Sequence, residues 1–240
     1  MSSARVFEFK ELECRAMRRR PLISPSDPVT YCATRCQLRG VGVSGVDLIG
    51  RHTEADHCLS EHCTFSLCVI SGFHISNTRI HDCQFDEAST FVSCHFDSVE
   101  LSSCTGSLKI EKENTRANTP LKFQSKMNLR SKCLYRSGRA AIDISSCDEL
   151  DLSIDGIPGK LVKTNPLHQM KIPMRYGEDL KYHLDRYSHF NGFSLFLSQL
   201  WSNYDPEVDT HFIVSSIPRE SNHWATELFD FVKSEGIFHE

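Results

Sequence analysis

The chain has 240 residues, of which 40% are apolar and 24% are charged. This composition is typical of a globular protein and excludes a disordered segment or a fibre. The formal net charge of -4 argues against a general polyanion binder. Eleven cysteines are an odd number, so a fully paired disulfide framework is excluded. In a reducing compartment, free cysteine behaves as a small and mostly buried apolar residue.

The N-terminal segment lacks the apolar stretch of a secretory signal peptide. No run approaches the roughly 18 apolar residues that a membrane helix requires. We therefore expect a soluble protein of the reducing cytoplasm with no membrane span. If the protein acts in a host cell, we expect export without a cleaved signal peptide.

Residues 1–29 are predicted to form a basic segment followed by a linker. The basic cluster consists of Arg15, Arg18, Arg19 and Arg20. We interpret it as the solvated face of a first helix that ends at Pro21. The alternative is a site for an anionic surface, a nucleic acid or a nuclear import receptor. Residues 22–28 are rich in proline and serine, which is typical of a linker.

A five-residue period runs through residues 38–104. Large apolar residues recur every five positions, and a smaller residue stands two places before most of them. The first frame contains Cys36/Leu38, Val41/Val43 and Val46/Leu48. The second contains Cys63/Phe65, Cys68/Ile70, Phe73/Ile75, Thr78/Ile80 and Cys83/Phe85, and after a slip near residues 88–91 come Cys94/Phe96 and Val99/Leu101. A period of five fits neither an α-helix nor an isolated strand.

Each five-residue unit offers one large and one small apolar side chain, which it cannot bury alone. Such units must stack on copies of themselves, which makes a solenoid. Cysteine suits the small position because it is compact and apolar. We therefore predict a repeat core of Cys63, Phe65, Cys68, Ile70, Phe73, Ile75, Ile80, Cys83, Phe85, Cys94, Phe96 and Leu101.

This pattern resembles the pentapeptide-repeat family, whose unit has a small residue two places before a central Leu or Phe. The resemblance implies a right-handed, roughly square β-helix in which four units make one coil. Frame shifts near residues 53–63 and 88–91 predict bulges or side loops. The predicted fold is therefore mainly β with some α: a parallel β-helix over residues 30–160, then a small helical module.

Beyond Cys104 the five-residue period fades, but short alternating apolar segments continue to about residue 159. They are Leu108/Ile110, Leu121/Phe123, Ile142/Ile144 and Leu150/Leu152/Ile154. We interpret them as strands in wider, irregular coils of the same solenoid. An independent antiparallel sheet is the competing interpretation.

Residues 161–240 are predicted to form a mostly helical module that either caps the solenoid or has a function of its own. One helix has Leu180, Leu184 and Tyr187 on one face, and a second covers residues 193–204. A strand is predicted over residues 211–217. A final helix begins near Ser221 and ends near Gly236.

Two kinds of chemical site were tested against the sequence. His57, Cys58, His62, Cys63 and Cys68 include zinc-ligand types, but no Cys-x-x-Cys occurs in the chain, and we expect neither a metal nor a cofactor. Thiol chemistry is expected outside the repeat register, at Cys14, Cys32, Cys133 and Cys147, or at the frame edges Cys58 and Cys104. The candidate catalytic residues are Cys133, Cys147, His183, Asp185 and His223.

Charge is distributed unevenly along the chain. Residues 38–104 contain nine acidic and three basic residues, a net charge of -6, whereas residues 1–37 contain seven basic and four acidic residues, a net charge of +3. This surface favours another protein as the partner rather than a nucleic acid. We therefore expect a non-enzymatic protein-interaction module.

The resemblance leaves the biological role of such a module broad. Pentapeptide-repeat effectors secreted by Gram-negative pathogens match this layout, because they place a modest repeat beside a second module. The alternative is an effector enzyme that uses a cysteine–histidine pair outside the repeat, either a transferase similar to ubiquitin ligases or a protease.

Overall fold

The structure is a computed structural model of the whole chain. It describes residues 5–11, 13–15, 18–19, 29–44, 53–112, 133–136, 138–173, 182, 184–186, 210–215 and 224–235. Short strands dominate these residues, with one long helix near the end of the chain. The strands are β1 (Arg5–Lys10), β2 (Glu13–Arg15), β3 (Arg18–Arg19), β4 (Val29–Thr34), β5 (Gln37–Arg39), β6 (Gly42–Ser44), β7 (Thr53–Asp56), β8 (Leu59–Glu61), β9 (Thr64–Ser66), β10 (Val69–Ser71), β11 (Phe73–Ser76), β12 (Arg79–His81), β13 (Gln84–Val92), β14 (His95–Asp97), β15 (Val99–Ser102), β16 (Thr105–Glu111), β17 (Ile142–Ser146), β18 (Glu149–Asp155), β19 (Val162–Lys163), β20 (Gln169–Pro173) and β21 (Thr210–Ser215), and the helix is α1 (Trp224–Glu235).

The strands form two mostly parallel sheets. The first has the order β14-β11-β7-β4-β8-β12-β15-β17-β19, and β1 also pairs with β4. The second has the order β2-β5-β9-β13-β16-β18-β21-β20, and β10, β6 and β3 pair beside it. The fold is therefore mainly β, as the sequence predicts.

Parallel pairs recur at a nearly constant separation along the chain. Leu59 of β8 pairs with Arg79 of β12, and Arg79 pairs in turn with Glu100 of β15. In the second sheet, Thr64 of β9 pairs with Gln84 of β13. In each case the partner follows after about four of the five-residue units. Residues at equivalent positions therefore stand beside one another on neighbouring strands, and we call each such set a column.

Backbone corners separate the strands at regular positions. Among the described residues, ten other than glycine have a positive φ: Glu11, Arg35, His57, His62, Leu67, Asn77, Asp82, Ser93, Ser98 and Ser103. Most of them immediately precede the small residue of a five-residue unit, as His62 precedes Cys63. Their N–H groups donate to the next strand; His62, for example, donates to the His81 carbonyl at 3.1 Å. This bonding stabilises a left-handed conformation that costs an L-residue about 1–2 kcal/mol.

The core follows the five-residue period. The predicted core residues are buried, apart from Ile70, which is half-buried and packs against the same cluster. The rings of Phe65 and Phe85 stack with centroids 5.3 Å apart, so the large positions of paired strands are in direct contact.

The slip in period near residues 88–91 is a bulge in β13, as predicted. The register of β13 with β16 shifts between Phe85 and Ser89. Gly106 of β16 lies opposite Phe85 with φ +97°, and a Cβ there would stand 2.1 Å from the Phe85 carbonyl oxygen. Only glycine fits this close approach of two backbones.

The first helix predicted around the basic cluster is wrong. Arg15 lies in β2, and Arg18 and Arg19 form β3. Strands β1, β2 and β3 pair in parallel with β4, β5 and β6. Backbone pairing with the next strands outweighs the helix preference of arginine-rich sequence. Arg20, Pro21 and the predicted linker at 22–28 lie outside the described residues.

The segments after Cys104 continue the parallel sheets. β16 pairs in parallel with β18, and β17 pairs in parallel with β15 and β19. An independent antiparallel sheet is therefore wrong for these strands. The Leu121/Phe123 segment lies outside the described residues.

The C-terminal residues contain more strand than the sequence indicates. β21 confirms the strand predicted over 211–217, and α1 confirms the final helix, but β20 was not predicted. β21 pairs antiparallel with both β18 and β20. The helix predicted over 193–204 lies outside the described residues. The division at residues 29/30 and 160/161 stays a prediction, although strand pairings cross both boundaries.

Candidate functional site

The outward side chains of β8, β12, β15, β17 and β19 form a continuous polar surface, which we call the polar face. Inward Ile80 and Leu101 are buried, and the residues on either side of them point outward. In-register pairing spaces the outward residues at about 4.8 Å from strand to strand. The polar face consists of Glu61, Arg79, His81, Glu100, Ser102, Asp143 and Lys163.

Ion pairs join neighbouring strands along the polar face. Arg79 Nε lies 3.4 Å from Glu100 Oε2, and Lys163 Nζ lies 2.7 Å from Asp143 Oδ2. Burial alone would raise the pKa of Asp143, but bonds from Lys163 and Ser145 outweigh it and lower the pKa overall. The hydrogen bond to Asp143 in turn raises the pKa of Lys163. These side chains are held in place before any partner binds.

Histidines occupy outward positions on and beside the polar face. His62 Nδ1 lies 2.6 Å from Asp82 Oδ2, and His81 Nδ1 lies 3.0 Å from Ser102 Oγ. The rings of His62 and His81 meet edge to face with centroids 6.2 Å apart. The five-residue pattern does not predict this group, although Glu61, His81 and Ser102 are spaced by about four five-residue units, which indicates that they are neighbours.

A second polar group lies at the end of β7 and β11. The Asp56 carboxylate accepts hydrogen bonds from Ser76 Oγ at 2.7 Å and from Asn77 Nδ2 at 2.9 Å, and His57 Nδ1 lies 2.9 Å away. Burial raises the pKa of Asp56, but these three contacts outweigh it and lower the pKa. The carboxylate therefore stays ionised at neutral pH.

Acidic side chains of the repeat lie on both sheets, with Asp56 at the end of β7 and Asp86 in β13. The basic residues Arg79 and Lys109 are paired with Glu100 and Glu111. Asp86 accepts hydrogen bonds from the neutral side chain of Gln84, as Asp56 does from Ser76 and Asn77. The surface therefore presents carboxylates that hydrogen bonds orient without neutralising their charge.

The inward small positions hold most of the cysteines. Most of these thiols donate to the carbonyl two residues earlier: Cys63 to Glu61 at 3.2 Å and Cys83 to His81 at 3.3 Å, for example. Thr78 Oγ1 makes the same bond to the Ser76 carbonyl at 2.9 Å. The small position therefore favours a compact side chain with a hydrogen to donate, which explains the cysteines better than compactness alone.

Four of these cysteines share one column, which we call the thiol column. Its members directly precede the paired residues of β5, β9, β13 and β16: Cys36, Cys63, Cys83 and Cys104. Cys147 lies two residues before Glu149 of β18, which pairs with Thr105. All five side chains are at most 2% exposed. Cys104, expected at a frame edge, and Cys147, expected outside the repeat register, are therefore both core residues.

The candidate catalytic residues are only partly placed by the structure. Cys133 is exposed in the short helical turn at 133–136, and Asp185 is also exposed. Cys147 is fully buried, so a substrate has no access to it. His183 and His223 lie outside the described residues.

The zinc candidates are separated in the structure. Cys63 and Cys68 point inward in different columns, whereas His57 and His62 are exposed at corners. Among the described residues, no group of three or more His, Cys, Asp or Glu side chains could hold a metal ion.

Comparison with known proteins found no match: no family model, no curated protein and no solved structure is similar to this chain. Within the described part of the chain, no helix is both long enough and apolar enough to cross a membrane.

Proposed function

We propose that this protein is a non-enzymatic protein-interaction module that docks on a partner protein through the polar face. The observation that carries the proposal is the cross-strand pairing of outward side chains, seen in Arg79–Glu100 and Asp143–Lys163. A surface that is ordered before binding loses less conformational entropy when a partner docks.

The scaffold that we propose is a pentapeptide-like β-helix. Paired strands follow one another after about four five-residue units, which is one coil of the square helix that the resemblance implies. Positive-φ corners at Asn77 and Asp82, one unit apart, support the same geometry. Repeated parallel pairing gives such a scaffold a rigid backbone, since every coil is bonded to its neighbours.

The partner that fits the acidic corners beside the polar face, such as Asp56 and Asp82, is a protein with a basic docking site. Residues 38–104 carry nine acidic and three basic residues. Opposite charge on the partner would speed association and select against acidic competitors. We further propose that the protein acts as a bacterial effector inside a host cell, where the C-terminal residues cap the scaffold or add a second contact.

The test compares two charge-reversal variants of the full chain. Glu61→Lys with Asp82→Lys changes the polar face and its edge, whereas Asp185→Lys with Asp230→Lys makes the same charge change on exposed residues elsewhere. Affinity capture with quantitative mass spectrometry identifies the bound proteins, and titration with the purified partner gives Kd.

We expect the first variant to weaken binding of a basic partner at least about tenfold and the second to leave it unchanged. Equal loss in both variants would assign binding to net charge rather than to the polar face. Loss in the second variant alone would assign it to the C-terminal residues. Either result contradicts the proposal.

An enzymatic function depends on one observation, the exposure of Cys133. An accessible thiol beside a histidine could act as a nucleophile. Under this alternative, Cys133→Ser would abolish the cellular effect of the protein while the partner still binds. An unchanged effect would leave the interaction module as the function.

A further inference from the structure

One corner of the repeat carries an apolar side chain where the other corners carry polar ones. Among the ten described residues other than glycine that have a positive φ, Leu67 is the single apolar one. It is 50% exposed, so burial in the core does not explain its presence. Asparagine adopts this backbone conformation more readily than leucine does. A residue held in an unfavourable conformation at the surface indicates a function outside folding.

A second exposed apolar residue stands next to this corner. Val69 begins β10 and is 40% exposed, whereas Cys68 between it and Leu67 is buried. Four large apolar residues of the described part of the chain are exposed, and the other two are Leu167 and Tyr182. Leu67 and Val69 therefore form a small exposed apolar patch between β9 and β10.

Strand register places two arginines beside Leu67. Arg39 of β5 is exposed and pairs in register with Ser66, the residue before Leu67. Arg15 of β2 pairs in register with Arg39. The Gly40 N–H donates to the Ser66 carbonyl at 2.8 Å, which holds the corner after β5 against the corner after β9. In-register positions are about 4.8 Å apart, and like charges directly opposite each other repel, so a bound anion would relieve this repulsion.

A third arginine stands on the other side of the corner. Arg18 of β3 pairs in register with Gly42 of β6, and Gly42 pairs in register with Val69 of β10. Arginines therefore occupy neighbouring register positions on both sides of the exposed apolar patch. We call the five residues the basic–apolar corner: Arg15, Arg18, Arg39, Leu67 and Val69.

We propose that the basic–apolar corner docks on a membrane surface that contains anionic phospholipids. Each arginine near such a surface raises the affinity roughly fivefold, and exposed apolar side chains enter the boundary between headgroups and acyl chains. The inference goes beyond the proposed function and does not depend on it. The corner belongs to the second sheet and the polar face to the first, so the two surfaces share no residue.

The combination of residues favours a lipid surface over other anionic partners. A nucleic acid or a free phosphate would pair with the arginines but would gain nothing from Leu67 and Val69. A protein partner would need a cavity shaped to the exposed corner, whereas the fluid interface of a bilayer adapts to it. Charge and apolar exposure together are therefore used fully only by an anionic bilayer.

Acidic residues near the corner limit the strength of binding. Glu13 shares β2 with Arg15, while Asp86 and Glu87 lie in β13, and Asp86 pairs in register with Ser66. The strand order β2-β5-β9-β13 places β13 on the side away from the arginines of β2 and β5. We therefore expect weak and reversible docking that uses both the charges and the apolar patch and that weakens as salt is added.

The experiment measures flotation of the full-length protein with lipid vesicles. One set of vesicles contains phosphatidylcholine alone, and the other contains phosphatidylcholine with phosphatidylserine. We expect at least about tenfold tighter binding to the phosphatidylserine vesicles, and a loss of that binding when salt is raised from about 0.1 M to about 0.5 M. Equal binding to both sets, or binding to neither, would overturn the proposal.

A pair of charge variants tests the arginines. Arg15→Gln with Arg39→Gln should weaken binding to phosphatidylserine vesicles by about tenfold or more. Arg136→Gln with Arg139→Gln removes the same charge from exposed residues elsewhere and should leave binding unchanged. Equal loss in both variants would assign binding to net charge and would overturn the proposal.

A second pair of variants tests the apolar patch. Leu67→Asn should weaken vesicle binding about fivefold without lowering Tm, because asparagine suits the corner better; a loss of binding therefore cannot come from unfolding. Leu167→Asn changes another exposed leucine and should leave binding unchanged. Unchanged binding in Leu67→Asn would contradict insertion of the corner.

Soluble competitors identify the source of the negative charge. Inorganic phosphate, a single-stranded oligonucleotide and polyglutamate stand for a free anion, a nucleic acid and an acidic protein. We expect none of them to release the protein from phosphatidylserine vesicles at matched anion concentration. Release by any one of them that is equally effective for Leu67→Asn would assign the arginines to that ligand and would overturn the proposal.

Discussion

Residues 53–104 and the described residues between 141 and 235 bury their cores by different means. In the first region most units repeat the same positive-φ corner and the same parallel pairing, and many repeat the same thiol–carbonyl bond. In the second region the pairing distance grows, and antiparallel β20 and β21 follow β18. The fold of the first region follows from the five-residue period of the sequence. The fold of the second region depends on single side chains and on contacts between distant segments.

The largest effect on stability is expected at Gly106, where the backbones of β16 and β13 lie close together. Gly106→Ala places a Cβ 2.1 Å from the Phe85 carbonyl oxygen at φ +97°. We expect a loss of about 3–5 kcal/mol in the free energy of unfolding, measured by urea denaturation. Gly138→Ala is the control: its φ is +73°, but nothing lies within 4 Å, so it should cost only about 1 kcal/mol. Equal losses would contradict the importance of the bulge.

Core truncation tests whether the two regions unfold together. Ile80→Ala in the repeat and Ile172→Ala in β20 remove buried side chains of the same type. Each should cost about 2–5 kcal/mol. If β20 and β21 complete the second sheet, calorimetry should show one shared transition for both variants. A separate early transition in Ile172→Ala would show that the C-terminal strands form an independent unit.

The buried side-chain amide of Gln169 should contribute strongly to stability in the region that follows the five-residue pattern. Gln169 Nε2 donates to the Ile144 and Cys147 carbonyls at 2.9 and 2.6 Å, and Gln169 Oε1 accepts from the Asn165 N–H at 2.7 Å. Gln169→Leu leaves these buried groups unsatisfied and should cost about 2–3 kcal/mol, measured by thermal unfolding. Gln84→Leu, on an exposed residue, should be nearly neutral.

A stabilising change should come from a corner of the repeat. Leu67 is 50% exposed and has φ +52°. Leu67→Asn should raise the free energy of unfolding by about 1 kcal/mol, because asparagine tolerates this conformation better. Leu167→Asn changes an exposed leucine outside any positive-φ corner and should have no effect on Tm. No gain at Leu67 would show that the corner is not strained.

The smallest effect on stability is expected from removing an ion pair of the polar face. The pKa of Asp143 is lower in the folded state than its ordinary value, so this carboxylate adds stability at neutral pH that disappears as the pH falls below about 4. Asp143→Asn should cost at most about 1 kcal/mol at pH 7 and nothing near pH 2. Denaturation across this range measures the difference, and a loss independent of pH would contradict the ionic contribution.

The difference between the two regions explains which structural features can be predicted from the sequence and which cannot. Cys63 and Phe65 were assigned to the core because their neighbours repeat at the same spacing. Cys147 was missed because a much longer stretch of chain separates it from Cys104 than separates Cys104 from Cys83, so no local period connects them. β1 was missed because its residues form a strand only by pairing with β4, a contact between distant segments.

The candidate site was harder to predict than the core. Acidic charge on the repeat is visible in the composition, but the contacts His62–Asp82 and His81–Ser102 cross between strands. Within a short stretch of sequence, each of these residues is indistinguishable from an ordinary polar surface residue. Pairing distance, rather than residue type, decides which side chains meet.

The antiparallel strand β21 covers one edge of β18 and so prevents another strand from pairing there. An open parallel edge offers N–H and C=O groups to any further strand, including one from another copy of the chain. β21 runs in the opposite direction and occupies that edge along Leu152–Asp155. A chain that lost β20 and β21 would expose this edge of β18 to pairing with another strand.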